Sequence, residues 1–515
     1  MDKASKFSRV SRITLLLVVF FALDKVVAFI RQVIIARQFG LSAELDSFNV
    51  ANNLPDLLFA LISGGALAMA FIPVLAEEIT KGGRQAAWNL FSKIANLAFL
   101  VTAGFAVMIA LFADPMVRWE LGIAPGFETA QQDLVVNLMR LNLIATLIFS
   151  ISGLVMAGLQ ANQHFLLPAM APLLYNFGQI FGALILSPQE GYRVGGLILP
   201  SFGLGVHGLV YGVIIGAFLH LGIQVPALIR YQFRWNSGLG LNTKPVRKVL
   251  RLMGPRLLTM MFIQLIFIVR DNLASRLEEG AVTALTYGWM IFQVPETLIG
   301  TTIGTALLPT LSEQFARQDQ EEFFASIQRA VRVLIAITLP VAVILSFGLR
   351  PLLRLAFDFD PAGTDLLTWV TRAYLAGLLG QSLVEVAVRS FYARQNALIP
   401  LFGAGFTFVV YVLVSSQLYR VVGAVGISLT DTIAFTAEAV LLLLILNRRL
   451  VRSLQWGGSL LRGLMAATAG GAIVWLGMTL TADWNPLLQS LLSLAGGGLA
   501  AIPILMPELR LLLKL

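Results

Sequence analysis

Charged side chains inside apolar segments are the residues of this sequence with the clearest chemical potential. Asp24, Lys25 and Arg31 lie in the first apolar run, where Asp24 and Arg31 fall on one helix face at positions i and i+7. An ionisable group at the centre of a membrane-spanning helix costs ~2.5–3.5 kcal/mol on translocon scales, so it usually faces a bundle interior or a wet cavity. The pattern predicts either a cavity wall that attracts anions or an Asp24–Arg31 pair with Lys25 reaching toward the interface.

Three further groups of charges fall in apolar runs. Asp431 and Glu438 are spaced i and i+7 on one helix, where they either bind a coupling cation or proton or lie near a membrane edge. Glu385 and Arg389 have the favourable i, i+4 order, which predicts a structural ion pair. Arg270 lies toward the outer end of the seventh run, where both substrate contact and interface anchoring remain open.

The sequence offers no recognisable catalytic constellation. Its three histidines are unclustered, and it contains no HExxH, nucleophile elbow, phosphate-binding loop or dinucleotide fingerprint. Because there is no cysteine, thiolate metal sites and cysteine nucleophiles are excluded. Asp358 and Asp360 form a DxD tripeptide, which on its own is a weak metal motif. We therefore expect no enzymatic activity, no metal and no cofactor.

The elements that position these charges must be membrane-spanning helices. Of 515 residues, 57% are hydrophobic and 13% are charged, whereas soluble domains are about 45–50% apolar and about 25% charged. A span needs ~20 apolar residues, and the sequence contains about fourteen such runs. They cover residues 13–38, 46–77, 87–112, 131–160, 165–187, 204–229, 248–275, 281–311, 328–349, 364–393, 397–419, 422–447, 458–481 and 486–506.

Charge placement predicts the orientation of these runs. The net charge of +9 is concentrated in linkers on one side, as the positive-inside rule expects for cytoplasmic loops, and nucleic-acid binding is not expected. Both termini are therefore predicted to be cytoplasmic, with the first run retained as a helix rather than cleaved as a signal peptide. The basic linker residues assigned to the cytoplasm are Lys81, Arg84, Arg230, Arg234, Lys244, Arg247, Lys248, Arg317, Arg448, Arg449 and Arg452, and those assigned to the outside are Arg118, Arg193, Arg350, Arg354 and Arg420.

The chain repeats itself at an offset of about 240 residues. Residues 159–168 and 391–400 match in length, with Ala, Gln and Pro at identical offsets. Because each copy holds six spans, both copies enter the membrane from the same side and are related by a pseudo-two-fold axis along the membrane normal. We expect an all-α polytopic membrane protein with two six-helix lobes, a cleft between them and an added helix pair, at residues 1–232, 233–454 and 455–515.

Prolines and glycines mark candidate hinges in corresponding places of the two copies. Pro55 with Gly64 and Gly65 in the second run corresponds to Pro295 with Gly304 in the eighth. These residues predict kinked helices, and broken helices in matching repeats often border a transport site. Elsewhere, glycines at positions 208, 212 and 216 form a small-xxx-small ridge that predicts close helix packing.

The second run carries a recognisable signature. Residues 46–55 (DSFNVANNLP), Gly65-Ala66 and residues 70–77 (AFIPVLAE) resemble the MurJ/MviN family of lipid II flippases in the MOP transporter superfamily. Further segments resemble the family in the same order, namely residues 124–127, residues 168–172 with Asn176, residues 304–312 and residues 391–395. The likeness extends over essentially the whole chain.

The resemblance implies a function and a site. It implies fourteen helices around a cationic cavity, alternating access, and transfer of a polyprenyl-pyrophosphate-linked precursor between leaflets, with a groove at the last two helices for the lipid tail. By this resemblance, the substrate-contacting residues would be Lys25, Arg31, Asp46, Asn53 and Arg270, with Asp46 ordering the cavity gate. The chain departs from the family where arginines are usual, because Phe59 and Met290 occupy those positions, and Gly64 replaces a glutamate.

These observations leave four functional hypotheses. The first is a lipid II flippase of the bacterial inner membrane, monomeric, contacting lipids and cell-wall synthesis proteins, and driven by membrane potential, Na⁺ or H⁺. The alternatives are a flippase for another lipid-linked saccharide, a cation-coupled exporter of small amphiphiles, and a transport-inactive scaffold for envelope synthesis.

Overall fold

The computed structural model describes residues 9–63, 65–194 and 196–512, which form eighteen α-helices, three π-helices and one short β-hairpin. The chain divides into two compact units, Met1–Gln264 and Leu265–Leu515. This division falls inside one long helix. The lobe boundaries predicted at residues 232 and 454 stay predictions.

The first unit is helical apart from a hairpin in which Arg193 pairs with Ile198 and Val194 with Leu197. Its elements are α1 (Arg9–Phe39), α2 (Ala43–Ala51), α3 (Asn53–Leu58), π1 (Phe59–Ser63), α4 (Gly65–Arg118), α5 (Thr129–Ala161), α6 (Leu166–Phe181), π2 (Gly182–Leu186), β1 (Arg193–Val194), β2 (Leu197–Ile198), α7 (Val206–Gly222), α8 (Val225–Arg230) and most of α9 (Lys244–Ala274).

The second unit contains the end of α9 and the remaining helices. They are α10 (Ala281–Glu296), π3 (Thr297–Thr301), α11 (Thr302–Ala316), α12 (Gln320–Phe357), α13 (Pro361–Ala376), α14 (Leu378–Ala393), α15 (Leu398–Val422), α16 (Ala424–Asn447), α17 (Gly457–Leu480) and α18 (Pro486–Leu512).

Both predicted hinge regions are interrupted helices. In the first unit, Pro55 lies in α3 and is followed by π1, while Gly65 begins α4 and Gly64 lies outside the described residues. In the second unit, Pro295 lies near the end of α10, π3 follows, and Gly304 lies in the first turn of α11. Proline removes a helix hydrogen bond, and a π-turn shifts the register of the bonds that follow. Helix interruptions therefore occur in corresponding places of the two units, and the role of these residues as hinges stays a prediction.

Ten helical segments among the described residues are long and apolar enough to cross a membrane. Every predicted span coincides with helices, but four of them are absent from these ten, namely residues 13–38, 46–77, 281–311 and 364–393. The last three are divided into shorter helices, and the first carries several charges. The all-α membrane fold is confirmed, and the number fourteen stays a prediction.

Small residues bring two helices of the first unit into backbone contact. A Cβ on Gly178 of α6 would lie 2.4 Å from Cα of Gly216 in α7, and one on Gly182 would lie 2.7 Å from Cα of Gly212. No side chain larger than hydrogen fits between backbones at this separation. The predicted glycine ridge therefore does pack closely against a neighbouring helix.

The helix pair α17–α18 packs against α12 within the second unit. Gly470 and Gly497 bring α17 and α18 together, since a Cβ on either would lie within 2.9 Å of the other's carbonyl oxygen. The carboxylate of Glu508, on α18, is fully buried and bonds to Arg332 of α12 at 2.9 Å and Arg462 of α17 at 2.7 Å. This three-helix ion network ties α18 to both neighbours.

Candidate functional site

The charges of α1 are organised by an amide from α6. Asn176 donates from Nδ2 to Oδ1 of the buried Asp24 at 2.8 Å and accepts from Nη1 of Arg31 at 2.7 Å. Arg31 also donates to Oε1 of Gln32 at 3.3 Å. Asp24 and Arg31 thus do lie on one face, as the spacing predicts, but Asn176 bridges them.

Lys25 is the exposed charge of this group. Its side chain is 85% exposed, and its Nζ lies 3.8 Å from Oδ2 of Asp24, at the outer limit of an ion pair. Asp24, Lys25 and Arg31 together carry one positive charge in excess. We define these three residues with Asn176 as the α1 cationic group, and a group of this kind can pair with an anion in a water-filled space.

The remaining predicted residues of the second apolar run lie in α2 and α3, where Asn52 forms a second amide network. Asp46 is buried in the first turn of α2, where the helix dipole favours its negative charge, and Asn53 is half-buried at the start of α3. Next to Asn53, Asn52 accepts from Nδ2 of Asn142 in α5 at 2.8 Å and donates to the carbonyl oxygen of Phe48 at 2.9 Å. Sequence reasoning missed this network, although an asparagine inside an apolar span is a detectable signal.

Aromatic contacts lie at Phe59 and beside Met290, the two positions where the resemblance implies an arginine. Phe59 packs edge-on against Phe149 at 5.4 Å between ring centroids. Beside Met290, Trp289 packs against Tyr374 and Phe267 at 5.4 and 5.8 Å. Apolar and aromatic packing therefore replaces cationic side chains at these two places.

Arg270 is buried rather than anchored at an interface. Its Nε donates to Oδ1 of the buried Asp271 at 2.8 Å, and its guanidinium lies 4.9 Å from the ring centroid of Phe267. Asp431 of α16 is also buried and interacts electrostatically with Arg270. The structure therefore brings together one predicted substrate residue and one predicted ion-coupling residue.

Glu438 has different neighbours from Asp431, although both lie on α16. It is buried and accepts from Oγ1 of Thr407, on α15, at 2.6 Å. Its charge also interacts with that of Glu385, which forms the predicted ion pair with Arg389. A third carboxylate, Glu296, interacts with Glu385 as well. Sequence reasoning missed Glu296, although it directly follows the hinge residue Pro295.

Comparison with known proteins identifies the family. The family model described as lipid II flippase MurJ matches residues 35–494. The chain belongs to the MurJ family.

Curated MurJ relatives align with most of the chain. The lipid II flippase MurJ of Burkholderia cenocepacia is 30% identical over 439 residues, covering 84% of this chain and 82% of the relative. A probable lipid II flippase MurJ of Rhizobium meliloti is 27% identical over 501 residues, covering 93% and 90%.

Solved structures share the fold. A lipid II flippase MurJ in an inward closed conformation matches with a TM-score of 0.79 at 20% identity, covering 97% of this chain and all of that one. An inward-facing multidrug resistance MATE transporter of the MOP superfamily matches with a TM-score of 0.66 at 16% identity, covering 88% and 98%. Together with the family match and the apolar helices, this fold makes the chain a multi-pass membrane protein.

Proposed function

We propose that this chain is a lipid II flippase that moves a polyprenyl-pyrophosphate-linked peptidoglycan precursor from the inner to the outer leaflet of the bacterial inner membrane by alternating access. Family membership supports the reaction, and the α1 cationic group is the single structural observation that carries it. We further propose that the protein acts as a monomer with both termini in the cytoplasm.

The chemistry of the cargo explains why a cationic group is needed. A pyrophosphate cannot enter hydrocarbon without replacement of its hydration by hydrogen bonds and opposite charge. Lys25 offers an exposed ammonium, and Arg31 offers a guanidinium held in place by Asn176. Asp24 limits the excess to one positive charge. A modest excess attracts the headgroup without holding it too tightly to release.

The lipid tail requires only an apolar surface. The resemblance implies a groove at the last two helices, whereas an apolar groove of about 510 Å³ lies between α12 and α17, with no lining residue from α18. Its lining consists of Val343, Phe347, Leu464, Ala467, Thr468, Gly471, Ala472 and Trp475. We propose that this groove receives the polyprenyl chain, which can remain in contact with bilayer lipid throughout transfer.

Complementation tests the cargo and the role of Lys25 together. Cells depleted of their own lipid II flippase should grow when this chain is expressed. Lys25→Gln should abolish rescue, because it removes the exposed charge, while the matched control Lys25→Arg should retain it. Failure of the unmodified chain, despite membrane insertion, would remove lipid II as the cargo and favour another lipid-linked saccharide.

Cation-coupled export of small amphiphiles is a second candidate, favoured by the buried Asp431 beside Arg270 and by the fold shared with a MATE transporter. Ion-dependent drug efflux that is lost in Asp431→Asn would support it. Absence of such efflux, together with transfer of labelled lipid II between leaflets of reconstituted vesicles, would exclude both this candidate and a transport-inactive scaffold.

A further inference from the structure

Three glutamates from three helices of the second unit lie near one another inside the helical bundle. They are Glu296 at the end of α10, Glu385 on α14 and Glu438 on α16. Glu296 and Glu438 are each 5% exposed, and the charge of each interacts with that of Glu385. We call these three residues the glutamate cluster.

Each carboxylate of the glutamate cluster has its own donor. Oγ1 of Thr301 donates to Glu296 at 3.1 Å, and Oγ1 of Thr407 donates to Glu438 at 2.6 Å. Glu385 forms an ion pair with Arg389, which also donates to Oγ1 of Thr305 at 3.3 Å. Separate donors to each carboxylate favour individual protonation over joint coordination of one metal ion.

The charges in and around the glutamate cluster do not balance. Among the described residues, the guanidinium of Arg389 interacts with Glu296 and Glu385, whereas Glu438 has no cationic partner. Several other charged side chains of the described surrounding helices have partners elsewhere. Ion pairs hold Glu313 with Arg317, Arg350 with Asp365, Arg329 with Glu322, and Arg332 with Glu508. Arg372 donates to a carbonyl oxygen, and Arg420 contacts Tyr419. Asp431 interacts with Arg270. Two buried negative charges would remain uncompensated, which is costly inside a membrane.

A buried hydroxyl is directed into the same space. Ser382 of α14 is fully buried, and its Oγ has no hydrogen-bond partner among the described residues. A Cβ on Gly300, in π3, would lie 2.7 Å from this Oγ and 2.8 Å from Oε1 of Glu296. Buried polar atoms are normally satisfied, and this hydroxyl can either donate to a carboxylate or accept from a protonated carboxyl group.

We propose that the glutamate cluster is a proton-binding site that couples proton movement to the hinge at π3. A proton from water binds a carboxylate oxygen and gives a neutral carboxyl group, and its release restores the carboxylate. Glu296 directly precedes π3 and Thr301 is its last residue, so protonation weakens a bond that spans the hinge. This inference rests on the proposed transport function but is independent of the cargo.

Infrared difference spectroscopy of the purified full chain in lipid tests proton binding directly. Between high and low pH, the protein should gain a carboxylic-acid C=O band that shifts when glutamate is labelled with ¹³C. Glu296→Gln and Glu438→Gln should each remove part of the band. The matched control Glu313→Gln, at an exposed ion pair of α11, should leave the buried-acid band unchanged.

Transport supplies the second measurement. In vesicles, a pH gradient should stimulate transfer of labelled lipid II, and Glu438→Gln should lose the stimulation. A band that is unchanged by both substitutions, or one that Na⁺ removes at constant pH, would overturn the proposal. If a variant fails to fold, proton binding is still tested by the ¹³C shift of the carboxylic-acid band in the unmodified protein. The same band is then compared with that of the milder Ser382→Ala variant. Absence of lipid II transfer with an intact infrared signal would contradict only the proposed cargo.

Discussion

Asn176 determines how the charges of α1 are arranged. It is 3% exposed and bonds to both Asp24 and Arg31, so its removal leaves a buried carboxylate without its amide donor. We expect Asn176→Leu to lower the free energy of unfolding by about 1–3 kcal/mol and to reduce transport. Denaturant unfolding in detergent and the complementation assay measure the two effects.

The control for this substitution is Asn89→Ala, which removes an exposed hydrogen bond from Asn236. A surface change of this kind should alter stability by no more than about 0.5 kcal/mol. Equal stability and growth of Asn176→Leu and the unmodified chain would show that the amide bridge is dispensable.

Individual contacts were only partly predictable from sequence. Helical spacing correctly put Asp24 and Arg31 on one face, because that relation is local. Their shared partner is 145 residues from Arg31, and no local pattern reports a contact at that separation. Glu296 was not predicted because its charged neighbour Glu385 lies on a different helix, a relation that no local pattern reports.

The α6–α7 contact makes a prediction at the scale of the helix pair. A Cβ on Gly216 would lie 2.6 Å from the carbonyl oxygen of Tyr175, so Gly216→Ala must separate the two helices. We expect a loss of about 1–3 kcal/mol in unfolding free energy, measured by thermal or denaturant unfolding.

Gly222, the last residue of α7, provides a matched control because a Cβ there would meet nothing within 4 Å. Gly222→Ala should be neutral or slightly stabilising, since alanine favours helix more than glycine does. Comparable destabilisation by the two substitutions would contradict the packing argument.

Helix positions were predicted well, and helix interruptions less completely. The thickness of the hydrocarbon layer sets the length of a membrane-spanning helix, so the length of an apolar run locates each span. Prolines and glycines located the kinks near Pro55 and Pro295. The π-helices that follow were not predicted, because one extra residue in a turn has no compositional signature.

The arrangement of the whole chain in the membrane is testable because the sequence contains no cysteine. Arg193→Cys, in β1, and Arg234→Cys, between α8 and α9, each introduce a single thiol at an exposed position. In spheroplasts, a membrane-impermeant maleimide should label the first, and label the second only after permeabilisation, as the positive-inside rule requires. The cysteine-free parent provides the background, and labelling of the second thiol in intact spheroplasts would invert the predicted topology.

The internal repeat predicts two lobes and an added helix pair, and these boundaries stay predictions. The observed division lies between Gln264 and Leu265 within α9, whereas sequence reasoning places boundaries in polar linkers. A repeat reports which helices correspond. It does not report where along a continuous helix the packing partners change.

The network around Glu508 has a consequence for biogenesis. During translation α12 and α17 leave the ribosome before α18, so Arg332 and Arg462 enter the translocon without the carboxylate that later joins them. The two guanidinium groups therefore stay hydrated or in contact with lipid phosphates until α18 is inserted. Assembly of this three-helix region is then a late, post-insertional event, and a nascent chain arrested before α18 should be a preferred substrate for membrane quality control.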